Sequence, residues 1–188
     1  MTLDDLTLDF DAIVSKTRSM PEQTADVAPG DLRGLTEEIY ARLDEVTAGA
    51  DDVVFTPNDP EADPAENGGE GWNLAHVVVH LTAGLEENAA QASTLARGAE
   101  ITGRPRHETD WETVTTVGQV KQRLAESRRI TLAFLDTWPD APHTDATYEH
   151  PYFGTMNAVS YHVVGLTHAR GHLRQLTEIR RQEAERAG

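Results

Sequence analysis

The sequence predicts an all-α protein built on four long helices that form a four-helix bundle, with an additional short N-terminal helix. Apolar residues recur at intervals of three and four along the whole chain, as in amphipathic helices. No stretch alternates strictly between apolar and polar residues, so any strands should be short and confined to loops. The connections allow either an up-down bundle or one with a long crossover. With 188 residues and 38% apolar content, a single domain spanning 1–188 is expected.

The first two predicted helical segments differ in how clearly their apolar residues follow a helical spacing. The weak N-terminal segment lies within an extension, residues 1–30, and its apolar positions are Leu3, Leu6, Phe10, Ile13 and Val14. The first long helix should begin with Asp31 as its N-cap and end near Gly49. It opens the predicted bundle, residues 31–181.

An acidic loop over residues 49–72 should separate the first and second long helices. Its prolines and glycines, Pro57, Pro60, Pro64, Gly68, Gly69 and Gly71, oppose both helix and strand. We interpret it as a solvated linker, the usual role of a charge run. The alternative is a lid or a rim that attracts cations.

The remaining three long helices carry start and stop signals. Asn73 should cap a helix from Leu74 to about Ala96, stopped by Gly98. The run Thr116-Val117-Gly118-Gln119 fits a capping box, and that helix should close before Trp138-Pro139. The last helix should begin near Thr155 or Asn157 and continue to the end.

Composition and charge exclude several classes of function. The chain has 16 Lys and Arg against 32 Asp and Glu, a formal net charge of -16, which repels nucleic acid and anionic membranes alike. It has no apolar run of membrane-spanning length and no signal-peptide pattern after Met1, so a cytoplasmic protein is expected. Because there is no Cys, disulfides, thiolate nucleophiles and Cys-ligated metals are excluded.

Four of the eight His form two pairs spaced four residues apart inside predicted helices. The pairs are His76 with His80 and His168 with His172. Residues four apart project from one face of a helix, so two imidazoles can reach one ion. A helical wheel turns the second pair inward, away from a solvent face that includes Thr167, and leaves the first pair half-exposed.

Two metal-site templates are excluded by residue type. His168 is not followed by the Glu that zincin proteases use as general base, and neither pair has the Glu three residues before a His that carboxylate-bridged di-iron bundles require. A mononuclear, His-rich site remains.

Four short motifs, in order, resemble the DinB-like superfamily. They are Gly71-Trp72-Asn73, His80-Leu81, His150-Pro151-Tyr152-Phe153-Gly154 and the run from His168 to Leu176, His-Ala-Arg-Gly-His-Leu-Arg-Gln-Leu. The resemblance covers about residues 31–181. It implies an up-down-down-up bundle and a divalent ion bound by three His, which are His80, His168 and His172 here.

The resemblance also implies a chemistry. Three imidazoles leave coordination positions open to water or substrate, the catalytic pattern, and favour zinc or nickel over iron, cobalt or manganese. Characterised relatives include S-transferases that use bacillithiol or mycothiol and a mycothiol-dependent maleylpyruvate isomerase. A metal-dependent enzyme that uses a low-molecular-weight thiol is therefore expected. The alternatives are a non-catalytic, stress-related bundle that binds a metal or small ligand, and a purely structural bundle with a vestigial site.

Other notable side chains are assigned structural roles. Those interpreted as packing or hydrogen-bonding residues are His76, His162, Trp72, Trp111 and Trp138. Glu87 should be exposed rather than a base near His80. Tyr152 and Phe153 should pack in a turn on the bundle end, the alternative being that they overhang the metal.

The expected partners are a small-molecule substrate and a second copy of the chain. Residues 1–115 have a net charge of -17, whereas residues 116–188 have a net charge of +1. Arginines of the C-terminal helix form a basic face: Arg170, Arg174, Arg180, Arg181 and Arg186. This complementarity favours a homodimer.

Overall fold

The computed structural model describes residues 1–51 and 71–187. The elements in chain order are α1 (Phe10–Val14), α2 (Met20–Gln23), α3 (Asp31–Thr47), α4 (Leu74–Ala96), α5 (Val117–Asp136), β1 (Thr147–His150), β2 (Gly154–Asn157) and α6 (Ala158–Ala187). Single 3-10 turns lie at Leu3–Asp5 and Trp111–Thr113. The described part is mostly helical, as predicted, with a small sheet. Most of the acidic loop predicted over 49–72 lies outside the described residues.

The N-terminal segment does not form the single short helix that its apolar spacing predicts. It folds into the 3-10 turn at Leu3–Asp5, then α1 and α2. The side chain of Asp9 accepts a hydrogen bond from the backbone N–H of Ala12 and begins a new helix, because such a cap competes with continuation of the preceding turn. Ile13 is buried whereas Val14 is 76% exposed, so the predicted stripe is buried only in part.

The predicted caps of α4 and α5 are confirmed. The Oδ1 atom of Asn73 accepts a hydrogen bond of 3.0 Å from the backbone N–H of His76. Beyond α4, Gly98 has a φ of +70°, the left-handed conformation that ends a helix. Thr116 and Gln119 form the reciprocal capping box of α5. These local signals therefore set both ends of α4, the helix that carries His80, and the start of α5.

Two predicted helix starts are corrected. Asp31 is the first residue of α3 and Gly30 is its N-cap, because the Asp31 carboxylate accepts a hydrogen bond from the earlier backbone N–H of Ala28, at 3.0 Å. Thr155 lies inside β2, so of the two starts predicted for α6 only Asn157 fits.

The two strands form an antiparallel hairpin that leads directly into α6. Its register pairs Tyr148 with Met156 and His150 with Gly154. The last residue of β2, Asn157, accepts a hydrogen bond of 2.9 Å through Oδ1 from the backbone N–H three residues on, which caps the helix. The strands are short and lie between helices, as the sequence allows.

The long helices pack in a closed set of pairs. Both α3 and α4 pack against α5 and against α6. A Cβ added at Gly165 of α6 would lie 2.9 Å from the Cβ of Asn88 on α4, so the absence of a side chain at Gly165 permits this close approach. No helix in the described ranges combines the length and apolarity needed to cross a membrane.

His162 of α6 is a buried imidazole away from the candidate metal centre. Its Nε2 atom lies 2.7 Å from Thr36 Oγ1 on α3. Because the Thr36 hydroxyl donates to Leu32 O, it accepts from Nε2–H, which leaves Nδ1 buried without a partner among the described residues. Burial lowers the pKa of His162 to about 4. The structural role predicted for this residue agrees with these contacts.

We expect His162 to make the protein acid-sensitive. Between about pH 6.5 and pH 4 the unfolded chain binds a proton at this position that the folded protein excludes. The free energy of unfolding therefore falls as the pH falls, by up to about 3 kcal/mol. In urea titrations at about pH 7 and about pH 4.5, His162→Gln should show a smaller loss than wild type. The exposed His107→Gln should behave as wild type; an unchanged loss in His162→Gln would contradict the assignment.

Candidate metal centre

Three imidazoles from two helices converge on one point. His80 lies on α4, and His168 and His172 lie one turn apart on α6. The Nε2 atom of His168 is 3.2 Å from Nε2 of His80 and 3.1 Å from Nε2 of His172. One ligand atom from each of the three residues lies within 4.8 Å of the others. The structure thus brings together all three residues of the predicted triad.

The spacing of these nitrogens fits a small divalent ion. Two nitrogens bound to zinc at about 2.0–2.1 Å in tetrahedral geometry are about 3.3 Å apart. The distances of 3.2 and 3.1 Å are close to this value. The three residues could therefore hold a metal ion.

The imidazoles of His80 and His168 are held in the neutral form that binds metals. Burial, with smaller contributions from neighbouring cationic groups such as Arg106, lowers the pKa of His80 to about 3. Burial, followed by the repulsion that a proton on His172 or on His80 would exert, lowers the pKa of His168 to about 3. His80 and His168 therefore each keep a nitrogen lone pair at neutral pH, which coordination requires.

Contacts at the outer nitrogens orient the rings. His172 Nδ1 donates a hydrogen bond to Gln175 Oε1, one turn further along α6, so its Nε2 lone pair faces the centre. A partner such as Gln175 commonly fixes the tautomer of a metal-binding histidine. At His80, Nδ1 lies 3.4 Å from the Arg106 guanidinium and 3.7 Å from the Glu108 carboxylate.

The absence of a side chain at Gly84 leaves room for the His168 ring. It lies one turn after His80 on α4, and a Cβ added there would be 3.2 Å from His168 Nδ1. A side chain at this position would press on the ring. The close approach of α4 and α6 thus continues from Gly165 to the candidate metal centre.

Trp72 is a buried core residue, as predicted, and it also borders the triad. It is 3% exposed, yet its ring stacks on His76 at 4.2 Å and meets the edge of His80 at 4.9 Å. Trp111 stacks on the other side of His76 at 4.8 Å. His76 is therefore a packing residue, as predicted, and the stack walls one side of the triad. Trp138 packs against the core.

Glu87 is buried and paired, contrary to the predicted exposure. Its side chain is 10% exposed and binds Arg104 and Arg106, the latter at 3.3 Å. Arg106 also binds Glu108 at 2.5 Å and lies 3.4 Å from His80 Nδ1. These ion pairs tie the loop after α4 to the helix that carries His80. Sequence analysis missed this loop because no short-range pattern links it to α4.

A cleft of about 960 Å³ is lined by two residues of the triad and by the hairpin. His80 and His168 mark one end of it, and Tyr152 and Phe153 mark the other. Tyr152 is 82% exposed. Phe153 packs against the core, as predicted, so the turn is both packed on the helices and part of the lining of the cleft that His80 and His168 share.

The wheel prediction holds for His76 and His80, which are half-buried as expected. The contrast with the second pair is not observed, because His168 and His172 are half-buried too. Thr167 was predicted to face solvent but is buried, and its hydroxyl donates to Val163 O at 2.9 Å. This contact satisfies the polar group inside the helix and lets the residue border the cleft.

One of three comparisons with known proteins gives a match. The family model of the DinB superfamily matches residues 17–176, which is most of the chain and includes all three imidazoles. No curated protein and no solved structure gives a significant match.

Proposed function

The chain belongs to the DinB superfamily, and on that premise we propose that it is a metal-dependent enzyme whose divalent ion binds to His80, His168 and His172. The observation that carries the proposal is the convergence of three ligand atoms from α4 and α6. Neutral imidazole is a ligand preferred by both zinc and nickel, which are the ions we propose.

The proposed reaction is the transfer or isomerisation of a small molecule with the help of a thiol. A bound ion would lower the pKa of a coordinated thiol or water and supply a nucleophile at neutral pH. Because the chain has no Cys, the sulfur would come from a low-molecular-weight thiol such as mycothiol. The cleft of about 960 Å³ is large enough for a small substrate beside such a cofactor.

The chain's own residues prepare this site in three ways. Gln175 holds the His172 ring by a hydrogen bond to Nδ1. Trp72 shields His80 and His172 from water on one side, with ring distances of 4.9 and 6.0 Å. Arg106 and Glu108 place a charged pair beside His80, which would favour a polar substrate group near the ion.

The larger organisation is part of the same proposal. The pairing of α3 and α4 with α5 and α6 supports a single-domain four-helix bundle of up-down-down-up topology. The contrast between the acidic first part of the chain and its basic C-terminal arginines supports a homodimer. We also propose that the protein acts in the cytoplasm, where low-molecular-weight thiols are kept reduced.

Elemental analysis tests the first step. The untagged chain, purified without chelator, should contain about one divalent ion per chain, and zinc or nickel should restore this stoichiometry after stripping. A stoichiometry near zero that neither metal restores would overturn the proposal.

Turnover is tested separately from loading. The loaded protein should accelerate the consumption of mycothiol or bacillithiol by monochlorobimane over the uncatalysed rate, and the stripped protein should not. Full loading with no acceleration for either thiol would overturn the proposed enzyme activity. The chain would then be a metal-binding protein without that chemistry.

A further inference from the structure

His150 is a hydrogen-bond donor fixed by its own turn. Its Nδ1 atom accepts the backbone N–H groups of Tyr152 and Phe153, at 3.1 and 3.2 Å. Burial, helped by the charge of Arg104, lowers the pKa of the imidazole, so the ring is neutral and its proton resides on Nε2. His150 lines the cleft, which makes Nε2–H the polar group that it offers there.

Tyr161 presents a second donor at the same end of the cleft. Its side chain lines the cleft and is only 4% exposed, and its hydroxyl forms no hydrogen bond within the described part of the chain. Burial raises the pKa of the hydroxyl, so it stays protonated. The centroids of the Tyr161 and His150 rings lie 6.2 Å apart, so the two residues are neighbours in the lining of the cleft. The Tyr161 hydroxyl can therefore donate to a ligand bound in the cleft.

The walls around these donors are apolar and aromatic. Phe153 stacks on His150 at 4.8 Å, and Tyr148 lies 6.3 Å from Tyr161. Val164, one turn after Tyr161, also lines the cleft. A flat ring suits such walls better than a flexible chain, because aromatic rings stack and meet edge to face at these spacings.

A guanidinium group lies near these donors. Arg104 lines the cleft with its side chain 72% exposed, and it lies near enough to His150 to affect that ring's pKa. The nearby carboxylate of Glu87 is already bound by Arg104 and Arg106. The His150 Nε2–H and Tyr161 O–H groups thus remain to bind a ligand, which favours one that accepts hydrogen bonds.

We propose that His150, Phe153, Tyr161 and Arg104 form a subsite for an aromatic carboxylate, the hairpin subsite. The ring packs against Phe153, and the carboxylate accepts hydrogen bonds from His150 Nε2–H and the Tyr161 hydroxyl in the field of Arg104. This inference rests on the proposed function in one respect only: it makes the aromatic carboxylate the organic substrate that meets the ion at the other end of the cleft.

Benzoate binding tests the hairpin subsite. Saturation-transfer NMR and titration should show benzoate binding more tightly than benzyl alcohol, to the chain as purified and after metal stripping. Tyr161→Phe removes one donor and should raise the Kd of benzoate about tenfold or more, as expected for a lost hydrogen bond to a charged group. Tyr40→Phe is the matched control and should leave the Kd unchanged, because that hydroxyl is buried against Ser127 and Thr131 outside the cleft.

The outcomes separate this inference from the metal proposal. Absence of benzoate binding at millimolar concentration, or an unchanged Kd in both Tyr161→Phe and His150→Phe, overturns the hairpin subsite even if the chain loads one ion. Binding that needs the ion and disappears on stripping also overturns it, because the carboxylate then binds at the triad. Binding to the stripped chain that depends on Tyr161 supports the subsite even if metal loading fails.

Discussion

Replacing His168 with alanine should strongly weaken metal binding while leaving the helices intact. His168 Nε2 lies between the other two ligand atoms, at 3.2 and 3.1 Å, so its loss leaves His80 and His172 without the ligand that joins them. If one of three ligands provides about a third of a binding free energy of ~10–16 kcal/mol, the Kd should rise about 1,000-fold. Competition with a chromophoric chelator measures the Kd, and far-ultraviolet circular dichroism measures the helix content.

His107→Ala is the matched control for this experiment. His107 is exposed and lies outside the triad, so this variant should load metal with the wild-type Kd. Wild-type affinity in His168→Ala would show that the ion, if any, binds elsewhere. Loss of helix content in His168→Ala would call for His168→Gln, which keeps the volume more closely while removing the ring nitrogen.

Gly165→Ala should destabilise the fold through the contact between α4 and α6. Its new Cβ would lie 2.9 Å from Asn88 Cβ, an atom fixed to the backbone, so one helix must move. Overpacking of this kind costs about 1–3 kcal/mol, which lowers the Tm of a chain of this size by roughly 2–4 °C per kcal/mol. Thermal unfolding followed by circular dichroism measures the shift.

The same helix offers a control with the opposite sign. Gly171 is exposed, and a Cβ added there meets nothing within 4 Å. Gly171→Ala should therefore stabilise the protein by about 0.5–1 kcal/mol, because alanine has the higher helix propensity. Equal shifts in Gly165→Ala and Gly171→Ala would contradict the close approach of the two helices.

Local chemistry made the helix boundaries predictable. Asn73 and Thr116 are caps whose hydrogen bonds lie within three residues, so the sequence alone contains both partners. The prediction for the N-terminal segment was wrong for a related reason. Its apolar spacing fits one helix, but Asp9 caps a new one, and apolar periodicity does not reveal caps. The predicted N-cap at Asp31 was wrong by one position, because the Asp31 carboxylate accepts a hydrogen bond from a backbone N–H that precedes the helix.

Long-range chemistry made the rest of the site unpredictable from spacing. The triad was found because its residues occupy a family motif, and geometry then brought His80 to His168 across 88 positions. Arg106 reaches His80 from an irregular loop with no motif, and Glu87 is buried only because that loop covers it. A helical wheel considers one helix at a time. It therefore predicted that Thr167 faces solvent, although the fold buries this residue.

The absence of a linker between β2 and α6 couples the two ends of the cleft mechanically. Asn157 ends the strand and Ala158 begins the helix, so the pairing of Tyr148 with Met156 also sets the angle at which α6 presents its side chains. An inserted residue at this junction would rotate the helix by about 100° relative to the hairpin. The hairpin thereby helps to fix the rotation of α6, and with it the direction in which His168 and His172 face α4.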